Sequence, residues 1–210
     1  MSEARDAILA RLRAALGDVP ADEEPSFART YRLRGTLPEA DRVRLFVERV
    51  EDYGASVTVT DDPGTACAAA LAGQGARRVV VPPDLHLSLR PPGLELVEDD
   101  RLDAATLDAL DGVVTTCAAA CAETGTIALD GGTGQGRRAT TLVPDLHVCV
   151  VEAAQIVETF PELLERLEPA ARAGRPIVLV SGPSATSDIE LARVEGVHGP
   201  RRLVVIVRAP

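Results

Sequence analysis

Lysine is missing from this chain; all 22 of its basic side chains are arginine. That excludes a Schiff-base lysine and the lysine of a Walker-type phosphate loop. Tryptophan is missing too, and aromatics make up only 2% of the residues. A core drawn from the 46% of hydrophobic residues must therefore be built from Ala, Val, Leu and Ile. No apolar run approaches the roughly 20 residues of a membrane span. Glu3, Arg5 and Asp6 interrupt any signal-peptide apolar region, so the expected location is cytoplasmic. Positive charge is in deficit as well. A formal charge of −10 has the wrong sign for a phosphate-backbone binder, and nucleic acid is not an expected partner.

Metal-binding patterns are equally scarce. The four cysteines, Cys67, Cys117, Cys121 and Cys149, form no Cys-x-x-Cys pair, and the three histidines form no HxH or HxxxH pair. Their apolar contexts point to buried thiols acting as small hydrophobes. No metal site and no resident cofactor is expected.

What the chain does contain is regular alternation. Residues 2–16 place Ile8, Leu9, Leu12, Ala15 and Leu16 on one helical face. The stretch 18–34 is rich in Pro, acids and Arg without period and reads as a linker. The expected organisation is an N-terminal helix and linker over 1–35, then one folded domain over 36–210. Thr36-x-x-Glu39 has capping-box form, with Pro38 in the first turn of a helix whose stripe is Val43, Phe46, Val47 and Val50. Strands are expected at 56–60, 77–81, 94–97, 113–116, 126–129, 146–151, 177–180 and 203–207. Helices are expected after Asp62, after Asp103, after Thr159 and from Asp188, and Ala118-Ala119-Ala120 reads as a helical turn or bulge. Short, uninterrupted Val/Ile runs between helices predict an α/β fold with a largely parallel sheet covered on both faces.

Two polar stretches stand out against this scaffold. Ala122-Glu123-Thr124-Gly125-Thr126 puts a carboxylate, two hydroxyls and a glycine at the mouth of an apolar strand. Glu123 is a candidate nucleophile or general base, because the glycine lets a substrate approach the backbone; hydrogen bonding to a turn is the structural alternative. Ser181-Gly182-Pro183-Ser184-Ala185-Thr186-Ser187-Asp188 carries more hydroxyls than a helix cap needs, and would suit a phosphate or carboxylate. His198, in the turn Gly196-Val197-His198-Gly199-Pro200, is placed to titrate or to donate to a ligand. His147 reads instead as a core or edge histidine. Gly134-Gln135-Gly136-Arg137-Arg138-Ala139 fits G-x-G-x-x-A formally, but it comes late and lacks the following helix and acid-ended strand, so a Rossmann reading fails. Arg138 could still clamp an anion.

Taken in order, these motifs resemble the LUD-domain family, the lactate-utilization protein C group. The likeness rests on Ala122 to Thr126, on Arg138 to Pro144 leading into Leu146-His147-Val148, on Ser181 to Ser184 with Thr186 and Asp188-Ile189-Glu190, and on Gly196 to Pro200. The resemblance implies a fold similar to the glucosamine-phosphate isomerase (NagB), ribose-phosphate isomerase (RpiA) and CoA-transferase superfamily. It also implies a role in oxidising L-lactate to pyruvate beside iron–sulfur partner proteins, with a small anionic or phosphorylated ligand. Candidate catalytic residues are Glu123 and His198; candidate ligand-binding residues are Thr124, Gly125, Thr126, Arg138, Ser181, Gly182, Ser184, Thr186, Asp188 and Gly199. The same superfamily offers an alternative, a stand-alone CoA-transferase-like or sugar-phosphate isomerase-like enzyme using Glu123, since Glu123-Thr124-Gly125 looks similar to the Glu-x-Gly setting of CoA-transferases.

Overall fold

The computed structural model describes residues 3–20, 30–186, 194–196 and 198–209. It divides into two units, 1–31 and 32–210. The first holds α1 (Glu3–Ala15), which has Glu3 and Asp6 in its first turn and Arg13 in its last, charges that suit the two ends of the helix dipole.

The second unit is built on a six-stranded, wholly parallel sheet. Its strands are β1 (Ser56–Thr60), β2 (Arg78–Val81), β3 (Glu95–Glu98), β4 (Gly112–Thr116), β7 (Leu146–Glu152) and β12 (Arg202–Arg208), in the order β1-β12-β7-β4-β2-β3. β7 and β12 are buried almost throughout, which is why they read as unbroken Val/Ile runs rather than alternating ones. One face packs on α3 (Pro63–Gly73) through Cys67 and Leu71. The other packs on α2 (Glu39–Asp52) through Val43, Phe46 and Val50.

A second sheet shares that latter face. It consists of β5 (Ala119–Cys121), β6 (Thr126–Leu129), β8 (Ile156–Val157) and β9 (Val178–Val180), in the order β8-β5-β6-β9. Ile127 and Leu129 point into the core shared with α2, whereas Ala119, Cys121 and Ala128 face α5 (Phe160–Arg172) through Leu163 and Leu167. Ala118-Ala119-Ala120 is therefore not a helical turn. An alanine run has no hydrophobic period, and here pairing with β6 and β8 decides its state. Small side chains let β5 lie fully buried between two layers.

Helix starts follow local chemistry in most places. Asp62 Oδ1 accepts from Thr65 N–H at 3.2 Å ahead of Pro63, and Asp103 Oδ1 accepts from Thr106 N–H at 2.7 Å at α4 (Ala104–Asp108). Thr159 and Glu162 form the expected reciprocal capping box. Thr159→Ala should cost about 1 kcal/mol, read as a lower urea midpoint at unchanged m-value. The Thr36–Glu39 box does not form. Pro38 is the N-cap of α2, with no side-chain cap, because the Thr36 and Leu37 N–H groups both donate to Glu158 Oε2 at 2.5 Å. That contact also draws 32–35 into the second unit.

Candidate functional site

The two polar stretches singled out in the sequence meet through hydroxyl groups. Thr124 and Thr126 join Oγ1 to Oγ1 at 2.7 Å, and Thr126 Oγ1 reaches Ser181 Oγ at 2.9 Å. Pairing of β6 with β9 in antiparallel register brings residues 55 apart into this chain. Gly125 makes the approach possible. Its φ of +59° is left-handed, and a Cβ there would lie 3.0 Å from the Arg49 backbone carbon.

Beyond Ser181 the chain folds back on Gly196 and on residues 198–200. Ser184 N–H donates to the Pro200 carbonyl at 2.8 Å, Gly196 N–H donates to the Ser184 carbonyl at 2.8 Å, and His198 N–H donates to Ser184 Oγ at 3.0 Å. Between them lies a two-stranded antiparallel pair, β10 (Ala185–Thr186) with β11 (Val194–Glu195). The expected helix from Asp188, and Asp188 itself, lie outside the described residues; Thr186 is described only as backbone.

These segments wall a cavity of about 570 Å³. Ser181, Gly182, Ser184, His198 and Gly199 line it, together with Tyr53 and Asp52 at the end of α2, Thr141, Leu142, Leu203 and His147. It lies at the amino-terminal ends of β7 and β12, since His147 and Leu203 are the second residues of those strands. Open α/β sheets more often bind ligands beyond the carboxyl ends. Here β9, residues 181–184 and residues 198–200 close over the opposite end.

Glu123 is placed elsewhere. Its carboxylate pairs with the Arg32 guanidinium, which also pairs with the buried Glu158, and it does not line the cavity. Thr124 and Thr126 connect to the cavity only through Ser181. Arg138 lines a neighbouring cleft of about 300 Å³ with Arg175 and Gln135. Within that cleft Arg137 is held by Asp99, at 2.6 and 2.8 Å, and Arg175 by Asp130 at 2.9 Å. Thr141 and Val178 belong to both spaces. Of the residues singled out in the sequence, Ser181, Gly182, Ser184, His198 and Gly199 thus lie together, while Glu123 and Arg138 lie outside the cavity.

His147 is the lining residue that the sequence reading passes over. The ring is only 2% exposed, and its Nε2 lies 2.8 Å from Thr115 Oγ1 on the adjacent strand. The available signal was a polar residue on the same strand face as buried Cys149 and Val151. The thiols match the core expectation: all four are buried, and burial pushes the Cys67 thiol up to about 12, which leaves it protonated and unreactive. Among the described residues no group of three or more His, Cys, Asp or Glu side chains could hold a metal ion. No described helix is long and apolar enough to cross a membrane.

Comparison with known proteins sets this geometry in context. Residues 92–207 match the LUD domain. The chain is 46% identical to lactate utilization protein C of Deinococcus radiodurans over 188 residues, 89% of each protein. It is 36% identical to lactate utilization protein C of Halalkalibacterium halodurans over 90 residues, 41% of this chain and 39% of that protein. Among solved structures, a DUF162 family protein from Deinococcus radiodurans superposes with a TM-score of 0.70 and 39% identity, covering 83% of this chain and all of the other.

Proposed function

The chain belongs to the LUD-domain family, and from that premise we propose that it is a lactate-utilization protein C-like component of a system oxidising L-lactate to pyruvate in the cytoplasm. The supporting observation is likeness along almost the whole chain to one lactate utilization protein C. In this reading iron–sulfur partner proteins carry the electrons, because the thiols of this chain are buried core groups. Its own contribution is a ligand site, the cavity between β7, β9, residues 181–184 and residues 198–200, which takes a small anionic or phosphorylated molecule. Hydroxyls of Ser181 and Ser184 and the His198 side chain supply polar contacts there.

The alternative, acyl transfer or isomerisation through Glu123, gains nothing comparable. A carboxylate paired with a guanidinium is a weaker nucleophile and base than a free one, and this one would first have to leave Arg32. Deleting the gene with its operon neighbours intact should abolish growth on L-lactate, with restoration by a plasmid copy. Unimpaired growth would remove the proposal.

A further inference from the structure

We infer that the arginine-lined cleft beside the cavity is a second binding site, and that Arg138 holds there a small molecule bearing an oxyanion, phosphate or carboxylate. The site is separate from the reading of the cavity. It gives a role to the Gly134-Gln135-Gly136-Arg137-Arg138 motif, which that reading leaves unused.

Charge is the starting point. The chain carries a formal charge of −10, so its surface as a whole repels anions. Inside the cleft the balance is reversed, with Arg137, Arg138 and Arg175 lining it beside Asp130. Three guanidiniums around a space of about 300 Å³ repel one another unless negative charge stands among them. Two of them have it. Asp99 holds Arg137 through two hydrogen bonds, at 2.6 and 2.8 Å, and Asp130 holds Arg175 at 2.9 Å.

Those two carboxylates are committed. Asp130 is buried, and its Oδ1 already accepts from Gly132 N–H at 2.9 Å and Gln135 Nε2–H at 3.0 Å, while Oδ2 faces Arg175. Asp99 is buried too, and it accepts from Leu102 N–H at 3.1 Å as well as from Arg137. Neither can turn to Arg138 without abandoning several bonds. The Arg138 guanidinium is thus the third positive charge of the cleft, and an oxyanion supplied from solution is the group that answers it. A guanidinium fork matches two oxygens of a phosphate or a carboxylate.

The frame is set before a ligand arrives. Gln135 is 4% exposed, and its Oε1 accepts from Asp130 N–H at 2.7 Å. The loop is fastened to the end of β4, where Thr116 N–H donates to the Gly134 carbonyl and the Thr116 hydroxyl to the Thr133 carbonyl, both at 2.8 Å. Arg138 opens the short turn Arg138–Thr141, in which the Thr140 and Thr141 hydroxyls donate to the carbonyls of Arg137 and Arg138 at 2.6 and 3.2 Å. A backbone held in this way has little ordering cost left when a ligand binds. The volume of the cleft lies at the small end of ligand pockets, which suits a small molecule.

The test uses the full chain labelled with ¹⁵N, titrated with inorganic phosphate and with succinate at constant ionic strength. One or both should shift the amides of 131–138 saturably in the low-millimolar range, and the tighter of the two identifies the group that the cleft takes. Added sodium chloride should weaken the binding, because the arginines are partly exposed. Arg138→Ala should weaken it by about tenfold or more with Tm unchanged. Arg172→Ala, which removes an exposed arginine paired with Glu168 on α5, should bind as wild type does. Equal losses in the two variants would reduce the effect to bulk charge and overturn the site, as would shifts that grow linearly without saturation. Saturable shifts at 181–184 with none at 131–138 would place the anion in the cavity, overturning this inference while supporting the proposed function.

Discussion

Glu158→Ala should destabilise the protein by about 3 kcal/mol, the upper end of the cost of leaving donors without their acceptor, since its Arg32 partner is half exposed. The Glu158 side chain is almost wholly buried, and it gathers three donors from one segment: the Thr36 and Leu37 N–H groups at 2.5 Å each and the Arg32 guanidinium. Without it, two backbone donors and a guanidinium lose their acceptor at once. Gly35 belongs to the same device. A Cβ at that position would lie 2.2 Å from Glu158 Cβ, so only glycine lets the segment wrap this close.

The pH dependence has a definite sign. Burial alone would raise the Glu158 carboxyl, but the Leu37 N–H, the Arg32 guanidinium and the Thr36 N–H outweigh it and hold the group below its usual value. A carboxyl lowered in the folded state stabilises fully above its unfolded pKa of about 4.3, and that stabilisation is lost as pH falls through the folded value. The stability gap between wild type and Glu158→Gln should therefore be flat above about pH 5 and shrink below about pH 4. Urea unfolding across this range reads it directly. A gap that is constant down to pH 3 would show that the charge contributes nothing.

Phe46→Ala should have an effect of similar size, about 3–5 kcal/mol with a fall in Tm on the order of 10 °C. In a chain with three phenylalanines, Phe46 is the largest side chain between α2 and the sheets. It is completely buried with Val43, Val50, Ile127, Cys149 and Val205. Among the described residues no other aromatic side chain belongs to that cluster, so the hole is lined by short aliphatic side chains with little reach to fill it. The consequence extends to the site. The end of α2 delivers Asp52 and Tyr53 to the cavity wall, so the same substitution should broaden or shift the amide signals of 181–184. A loss below about 1 kcal/mol in urea unfolding would mean that α2 is held by something other than its buried stripe.

The class of fold was legible because it rests on local signals. The Val79-Val80-Val81 and 203–207 runs, bounded by turns and separated by helical stripes, suffice for a buried parallel sheet. Asp62, Asp103 and Thr159 mark helix starts through contacts three residues away, a distance that sequence spacing measures well. The Thr36 box failed because a carboxylate 122 residues distant competes for the same N–H group.

The site divides along the same line. Sequence alone determined which segments are polar and in what order they come. Only the tertiary structure decided that Glu123 turns to Arg32, that Arg138 faces a neighbouring cleft, and that His147 opens onto the hollow. The reason is physical. Helices and caps are settled by neighbours a few bonds away, whereas the partner of a carboxylate or an imidazole is whichever group the strand pairing sets beside it, and β4 meets β7 and β6 meets β9 across separations of 32 to 55 residues.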